Sequence, residues 1–425
     1  MKSWKGDSLR IFMVCLLAVA SAFGQSPEQR TKQILDQLLA HKFAPFYAMF
    51  SPAMKQGISL ETFSQQMEQI TSLGVPERIE EPSSTNIDGD TVVVIGVHWA
   101  PVSLNFQVSW NQAGEVDGTY WRPATPPSTS WSSPPYAHPD SFTEIEVTVG
   151  DDGWKLPGAL TVPKGQGPFP AIVLVHGSGP NDRDESEGGA KPFRDIAEGL
   201  SSRGIAVLRY VKRTREHPEC AADPAFTVYQ ETIEDAIRAA ALVRKQPGID
   251  PARVFVLGHS LGGYLAPRII HGDPKLAGFV VMAGNVRSLA AVTLDQFEYF
   301  ASLQGKLTAD DQARLERIRK DPLAQFKIPP QYLANLAGYR PDLEAKQLGT
   351  PMLILQGERD YQVTMKDFNL WKSALAGRKN VSFRSYPALN HLFVAGEGKS
   401  SPAEYEVPGH VSEDVIADIA KWIQR

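Results

Sequence analysis

The residues best suited to chemistry lie in one pentapeptide, Gly258-His259-Ser260-Leu261-Gly262, preceded by Val254-Phe255-Val256-Leu257 and followed by Gly263. A strand that turns abruptly into a helix forces its central residue into a cramped backbone conformation. Only small neighbours two positions either side let the chain pass itself. The Ser260 hydroxyl is then pushed out at the head of a helix, where backbone N–H groups favour developing negative charge. That is the setting of a nucleophile for acyl transfer. The plainer reading is a glycine-rich turn, and the buried-type strand ahead of it favours the nucleophile.

A serine hydroxyl is a poor nucleophile until a base takes its proton, and the base needs an acid to orient it. The Gly-x-Ser-x-Gly turn is associated with the chain order Ser, acid, His. Gly357-Glu358-Arg359-Asp360 directly follows the strand-like run ending at Leu355, which puts Asp360 at the same sheet edge as Ser260. Glu358 and Asp367 are the fallbacks: the first lies close to the strand end, the second in the next helix. His41, His98 and His138 fall outside this region, His176 and His259 belong to other motifs, and His217 and His271 precede Asp360. His391 and His410 remain. His391, in a loop after the last strand-like run, is the preferred base over His410, which sits just ahead of the terminal helix.

Attack on a carbonyl leaves negative charge on its oxygen, which two converging backbone donors can hold; losing one such donor costs on the order of 10²–10³ in rate. The elbow supplies the N–H of Leu261. His176-Gly177-Ser178-Gly179-Pro180, after another apolar run, supplies the second, with Ser178 preferred and Gly179 next.

These groups need a scaffold. Strand-like runs follow one another at Thr143–Val149, Trp154–Val162, Ala171–Val175, Ile205–Tyr210, Arg253–Leu257, Gly278–Met282, Pro351–Leu355 and Val381–Tyr386, with helix-compatible segments such as Ala190–Arg203 and Val228–Gln246 between most of them. Continuous apolar runs separated by helices indicate a mainly parallel sheet covered on both faces. One interval breaks the rhythm: Leu289–Leu303, Thr308–Lys320 and Gln331–Leu336 form a helical insertion, a cap over about 285–348.

With eight strands, an antiparallel first pair and the nucleophile after the fifth, residues 140–425 resemble the α/β-hydrolase superfamily. His176-Gly-Ser-Gly-Pro-Asn-Asp-Arg-Asp-Glu185 and Gly258-His-Ser-Leu-Gly-Gly263 are most similar to secreted bacterial serine esterases of the esterase D type. The resemblance implies hydrolysis of short acyl esters without a cofactor, with Ser260, Asp360 and His391 as the triad. Val211 departs from the acidic residue many relatives carry there. A serine aminopeptidase on the same fold would need an acidic anchor for a substrate amine, for which Glu185, Glu187 and Glu216 are candidates. Thioester hydrolysis is another variant, and a non-catalytic binding protein on this scaffold is the reading from a different class.

Ahead of this region, residues 27–122 read as a small α+β domain. Helical spacing occurs at Gln29–Leu39 and Leu60–Ile70, and strands at Thr91–Val97, Val102–Trp110 and Glu115–Tyr120. It resembles the cystatin- or NTF2-like domain that precedes the hydrolase domain in some secreted esterases. Residues 123–139 carry Pro123, Pro126, Pro127, Pro134, Pro135 and Pro139 and read as a semi-extended linker, with Trp131 and Tyr136 able to dock it.

The N-terminus carries an address. Lys2, Lys5 and Arg10 precede an apolar run from Ile11 to Ala20, then small residues, so residues 1–24 read as a secretory signal peptide cleaved after Ala22 or Gly24. The run is too short to span a bilayer, so no membrane span is expected after cleavage. Removal of Cys15 leaves Cys220 alone and excludes an intramolecular disulfide. No Cys/His spacing suggests a metal. With 425 residues and a net charge of −5, the chain offers no basic field for nucleic acid, and Lys212-Arg213 is expected to be solvated or ion-paired. The expected partner is a small acyl ester.

Overall fold

Where apolar residues run without interruption the chain forms strands buried on both faces; where they alternate, it forms strands with one covered face. The computed structural model describes residues 25–87, 89–99, 103–123, 131–151, 153–303, 309–324 and 328–425. The expected leader, residues 1–24, and residues 124–130 of the proline-rich segment lie outside the described residues. The chain divides into two compact units at Ser128/Thr129.

The described residues of the first unit open with four helices, α1 (Pro27–Leu39), α2 (Phe43–Ala48), α3 (Pro52–Gly57) and α4 (Leu60–Thr71). Ser26 caps α1 through a reciprocal pair of hydrogen bonds with Gln29. An antiparallel sheet follows, of β1 (Arg78–Ile79), β2 (Ser83–Ile87), β3 (Asp90–His98), β4 (Ser103–Trp110) and β5 (Val116–Pro123), in which β3 pairs with β1, β2 and β4. Along β4 the buried residues are Phe106, Val108 and Trp110, one face of the pleat. They pack with Ile34, Leu35, Leu38, Phe46, Phe50 and Phe63.

The second unit is built on an eight-stranded sheet. Its elements are β6 (Phe142–Val149), β7 (Leu156–Pro163), β8 (Phe169–Val175), α5 (Pro192–Ser201), β9 (Ala206–Tyr210), α6 (Arg213–Glu216), α7 (Asp235–Val243), β10 (Ile249–His259), α8 (Leu261–Gly272) and β11 (Gly278–Met282). Then come α9 (Leu289–Leu303), α10 (Ala309–Lys320), α11 (Pro330–Leu336), α12 (Pro341–Ala345), β12 (Met352–Gly357), α13 (Met365–Ala374), β13 (Val381–Tyr386) and α14 (Glu413–Ile423). The order across the sheet is β13-β12-β11-β10-β8-β9-β7-β6, parallel from β13 to β9 and antiparallel at β7 and β6. Alternation along β8 serves two layers. Ala171, Val173 and Val175 face a core shared with α7, α8 and α13, while Ile172 and Leu174 face one shared with α5 and α14.

One boundary differs from the sequence expectation. Residues 131–139, read as part of a linker, belong to the second unit. Trp131 Nε1 donates to Asp195 Oδ1 (2.9 Å) and the Tyr136 hydroxyl donates to the Val411 carbonyl (2.6 Å). Each aromatic has a buried acceptor waiting on this unit, so composition alone set the boundary too late.

Candidate active site

Ser260 sits between β10 and α8 with φ 50° and ψ −112°, a conformation rarely adopted by a residue with a side chain. The glycines around it are required by contact. A Cβ on Gly258 would lie 2.2 Å from the Gly262 backbone, and one on Gly262 would lie 2.3 Å from the Val175 carbonyl oxygen. The turn is held by Ser260 N–H donating to Met282 O (2.9 Å), across to the neighbouring strand. Leu261 is the first residue of α8, where a backbone N–H has no intrahelical acceptor.

Asp360 follows β12 by three residues and is buried. Its Oδ1 accepts from the N–H groups of Gln362 (2.8 Å) and Val363 (2.9 Å), and its Oδ2 from Gln356 Nε2 (3.0 Å). The remaining partner is His391 Nδ1, 2.7 Å from Oδ2. Facing a carboxylate, Nδ1 carries the proton and leaves Nε2 with a lone pair. The loop carrying His391 is set by Asn390, whose Oδ1 accepts from Leu392 N–H (3.0 Å) and Val394 N–H (3.2 Å). Ser260 and His391 line one cavity of about 500 Å³ together with Leu261, Ser178 and Gly179.

The fallbacks lie elsewhere. Glu358 is exposed and accepts from Ser385. Asp367, on α13, is buried against Arg287, which also reaches Asp295 on α9 and so ties the root of the cap to α13. His410 pairs with Asp195 (3.1 Å) and does not line the cavity. Of the candidate amine anchors, Glu216 is exposed and outside the cavity wall, while Glu187 and Glu185 both line it, Glu185 with its carboxylate engaged.

Glu185 is a residue whose role the sequence did not disclose. Its Oε1 accepts from Gly177 N–H (2.6 Å), and its Oε2 lies 2.9 Å from Nδ1 of His259, the variable residue of the elbow. His259 Nε2 in turn donates to the His391 carbonyl (3.0 Å). Burial alone would raise the Glu185 carboxyl and lower the His259 imidazole. The opposite charges, aided by hydrogen bonding, outweigh it, so Glu185 is held below its ordinary value and His259 above. The pair is ionic and joins the Gly177 loop, the elbow and the His391 loop. His176 differs: burial pushes it down to about 4, and as a neutral ring it donates from Nε2 to Asp182 O (3.0 Å). The Lys212-Arg213 pair is buried and ion-paired, Lys212 with Glu231 (2.7 Å) and Arg213 with Glu234 (2.8 Å) and Asp235. Charged residues placed two and three positions after a fully buried strand were the available signal.

The sheet order and the elbow define an α/β-hydrolase, and the chain is a serine hydrolase of that class. Residues 168–398 match the Hydrolase_4 family, serine aminopeptidase S33. Esterase EstD of Thermotoga maritima is 44% identical over 322 residues, which cover 74% of this chain and 75% of that protein. The chain therefore belongs to the esterase D group within the superfamily. Esterase FrsA of Klebsiella pneumoniae subsp. pneumoniae is 26% identical over 200 residues, 47% of this chain and 38% of that one. Among solved structures, an esterase from the archaeon Pyrobaculum calidifontis aligns with a TM-score of 0.46 at 21% identity, over 66% of this chain and 85% of that one.

Proposed function

We propose that the protein hydrolyses short-chain acyl esters through Ser260 as nucleophile, His391 as general base and Asp360 as its orienting acid. The observation that carries the reading is the 2.7 Å contact between His391 Nδ1 and Asp360 Oδ2, in a cavity wall shared with Ser260. Nε2 of His391 takes the Ser260 proton as Oγ attacks the ester carbonyl carbon. The N–H groups of Leu261 and Ser178 hold the resulting oxyanion. Collapse breaks the bond to the leaving alcohol, which receives the proton from His391, and leaves an acyl-enzyme. Water, activated by the same imidazole, releases the acid. Leu289, Val292, Leu323, Ile328 and Leu336 give the cavity an apolar wall suited to an acyl chain. Residues 1–24 direct export, and the first unit is an accessory domain.

The test sets p-nitrophenyl acetate, butyrate and decanoate against amino-acid p-nitroanilides. Turnover of the short esters, with fluorophosphonate labelling at Ser260, is expected. Preference for the anilides would shift the reading to an aminopeptidase, the activity named for the matched family. Absence of both turnover and labelling would leave a binding protein. Mass spectrometry of the exported protein is expected to find its N-terminus at Phe23 or Gln25; an intact Met1 would refute the leader.

A further inference from the structure

The peptide unit between Gly177 and Ser178 is held from one side by a buried cation. Lys212, two residues beyond β9, is 1% exposed, and its Nζ donates to the Gly177 carbonyl oxygen at 2.7 Å. The same ammonium lies 2.7 Å from Glu231 Oε1, while Glu231 Oε2 accepts from the Tyr332 hydroxyl of α11 at 2.5 Å. Asn181 Nδ2 adds a longer bond to the same carbonyl (3.3 Å). The other face of Gly177 approaches the nucleophile, since a Cβ built there would lie 3.1 Å from Ser260 Cβ.

A trans peptide carries its C=O and N–H in opposite directions, and the one cis bond among the described residues is Gly167–Pro168. With its carbonyl turned to Lys212, this unit must turn the Ser178 N–H away from the ammonium. Ser178 and Gly177 both line the cavity containing Ser260. A positive charge on the carbonyl oxygen also polarises the amide, making its N–H a stronger donor. Burying a lysine is costly unless it is paired and hydrogen-bonded. Here the pairing serves a single peptide plane.

We infer that Lys212 is a positioning residue for the oxyanion site: its ammonium, held by Glu231 and Tyr332, aims the Ser178 N–H at the oxygen of the attacked carbonyl. The inference rests on the hydrolytic reading above. Because Tyr332 belongs to the helical insertion and also lines the cavity, the chain Tyr332–Glu231–Lys212–Gly177 links the cap to the donor.

The experiment compares wild type, Lys212→Met, Glu231→Gln and Tyr332→Phe with p-nitrophenyl acetate and with a short alkyl trifluoromethyl ketone. Ser260 Oγ adds to the ketone carbon, its proton passes to His391, and the former carbonyl oxygen becomes an oxyanion on the same donors. Lys212→Met is expected to lower kcat about 10²-fold, the scale of one lost donor, with KM little changed and ketone affinity reduced in parallel. Glu231→Gln and then Tyr332→Phe should show progressively smaller losses in the same direction. A variant that melts earlier while retaining both kcat and ketone affinity would reduce Lys212 to a stabilising role and overturn the inference. If Lys212→Met does not fold, unchanged kcat and ketone affinity in the other two variants would overturn it. A wild type inert to both ester and ketone would instead overturn the hydrolytic reading.

Discussion

The two units of this chain are stabilised by different chemistry. Among its described residues, the first unit buries Thr31, Ser51 and Thr71 as its polar groups and no charged side chain. Its core is aromatic, with Phe46 edge-on to Phe50, Phe63 and Phe106 at ring separations of 5.2, 5.7 and 6.0 Å. The second unit buries Asp184, Glu185, Arg209, Lys212, Arg213, Glu231, Asp235, His259, Asp360 and His391, among others. Apolar burial is enough to hold a fold together, whereas each buried charge needs a partner before it stops being destabilising. Charges concentrated around β8, β9 and the elbow therefore mark where geometry matters more than stability.

The largest expected effect separates the units most sharply. Ser260→Ala should reduce kcat by about 10⁴–10⁶ while the thermal unfolding profile stays that of a folded protein; substantial residual hydrolysis would assign the reaction to another group. Asp360→Asn should cost about 10⁴ in kcat, since an amide next to Nδ1 stabilises the wrong tautomer. Steady-state kinetics on p-nitrophenyl butyrate decide it, and a near-normal kcat would remove Asp360 from the mechanism.

On the other side of the comparison, Phe46→Ala should lower the stability of the first unit by about 3–5 kcal/mol, read by chemical denaturation. The kcat on a small ester should stay at the wild-type value. A kcat that falls in step with the loss would mean that the aromatic core supports the chemistry as well.

The smallest effect concerns the Glu185–His259 pair. Glu185 is depressed in the fold, so its contribution is present above the ordinary carboxylate range and lost as pH falls through its lowered value. His259 is raised, so its contribution is present below the ordinary imidazole range and lost as pH rises through its elevated value. Both hold between about pH 4.3 and pH 6.5. Glu185→Gln should destabilise by up to about 3 kcal/mol in that window, and less on either side, as measured by denaturant unfolding across pH. A difference that does not vary with pH would show that the pair is not ionic.

Much of the second unit was legible in the sequence. The strands β8, β9, β11 and β12 and the second half of β10 are apolar runs buried on both faces, and a run of that kind has few other ways to fold; β13, at the sheet edge, is only partly covered. The cap helices Leu289–Leu303 and Pro330–Leu336 lie within a residue of their expected limits. In the first unit β1 and β2 escaped notice, because Arg78–Ile79 is too short to show a period and Ser83–Ile87 is mostly polar. The helices Phe43–Ala48 and Pro52–Gly57 cover fewer than two turns each and display no periodicity either. Trp131 and Tyr136 were visible as candidates for docking, but their acceptors, Asp195 and Val411, are remote in sequence.

Local sequence determined where the chain turns and that position 258 admits no side chain, because a Cβ there would meet the Gly262 backbone four residues on; the demand for glycine at 262 comes from the Val175 carbonyl of β8, far away in the chain. Chain order after the strands nominated Ser260, Asp360 and His391. Only the tertiary structure decided which charges face one another. The pairing of Lys212 with Glu231, and of Glu185 with His259, joins residues 19 and 74 positions apart, and an ion pair leaves no periodic trace in the sequence that forms it.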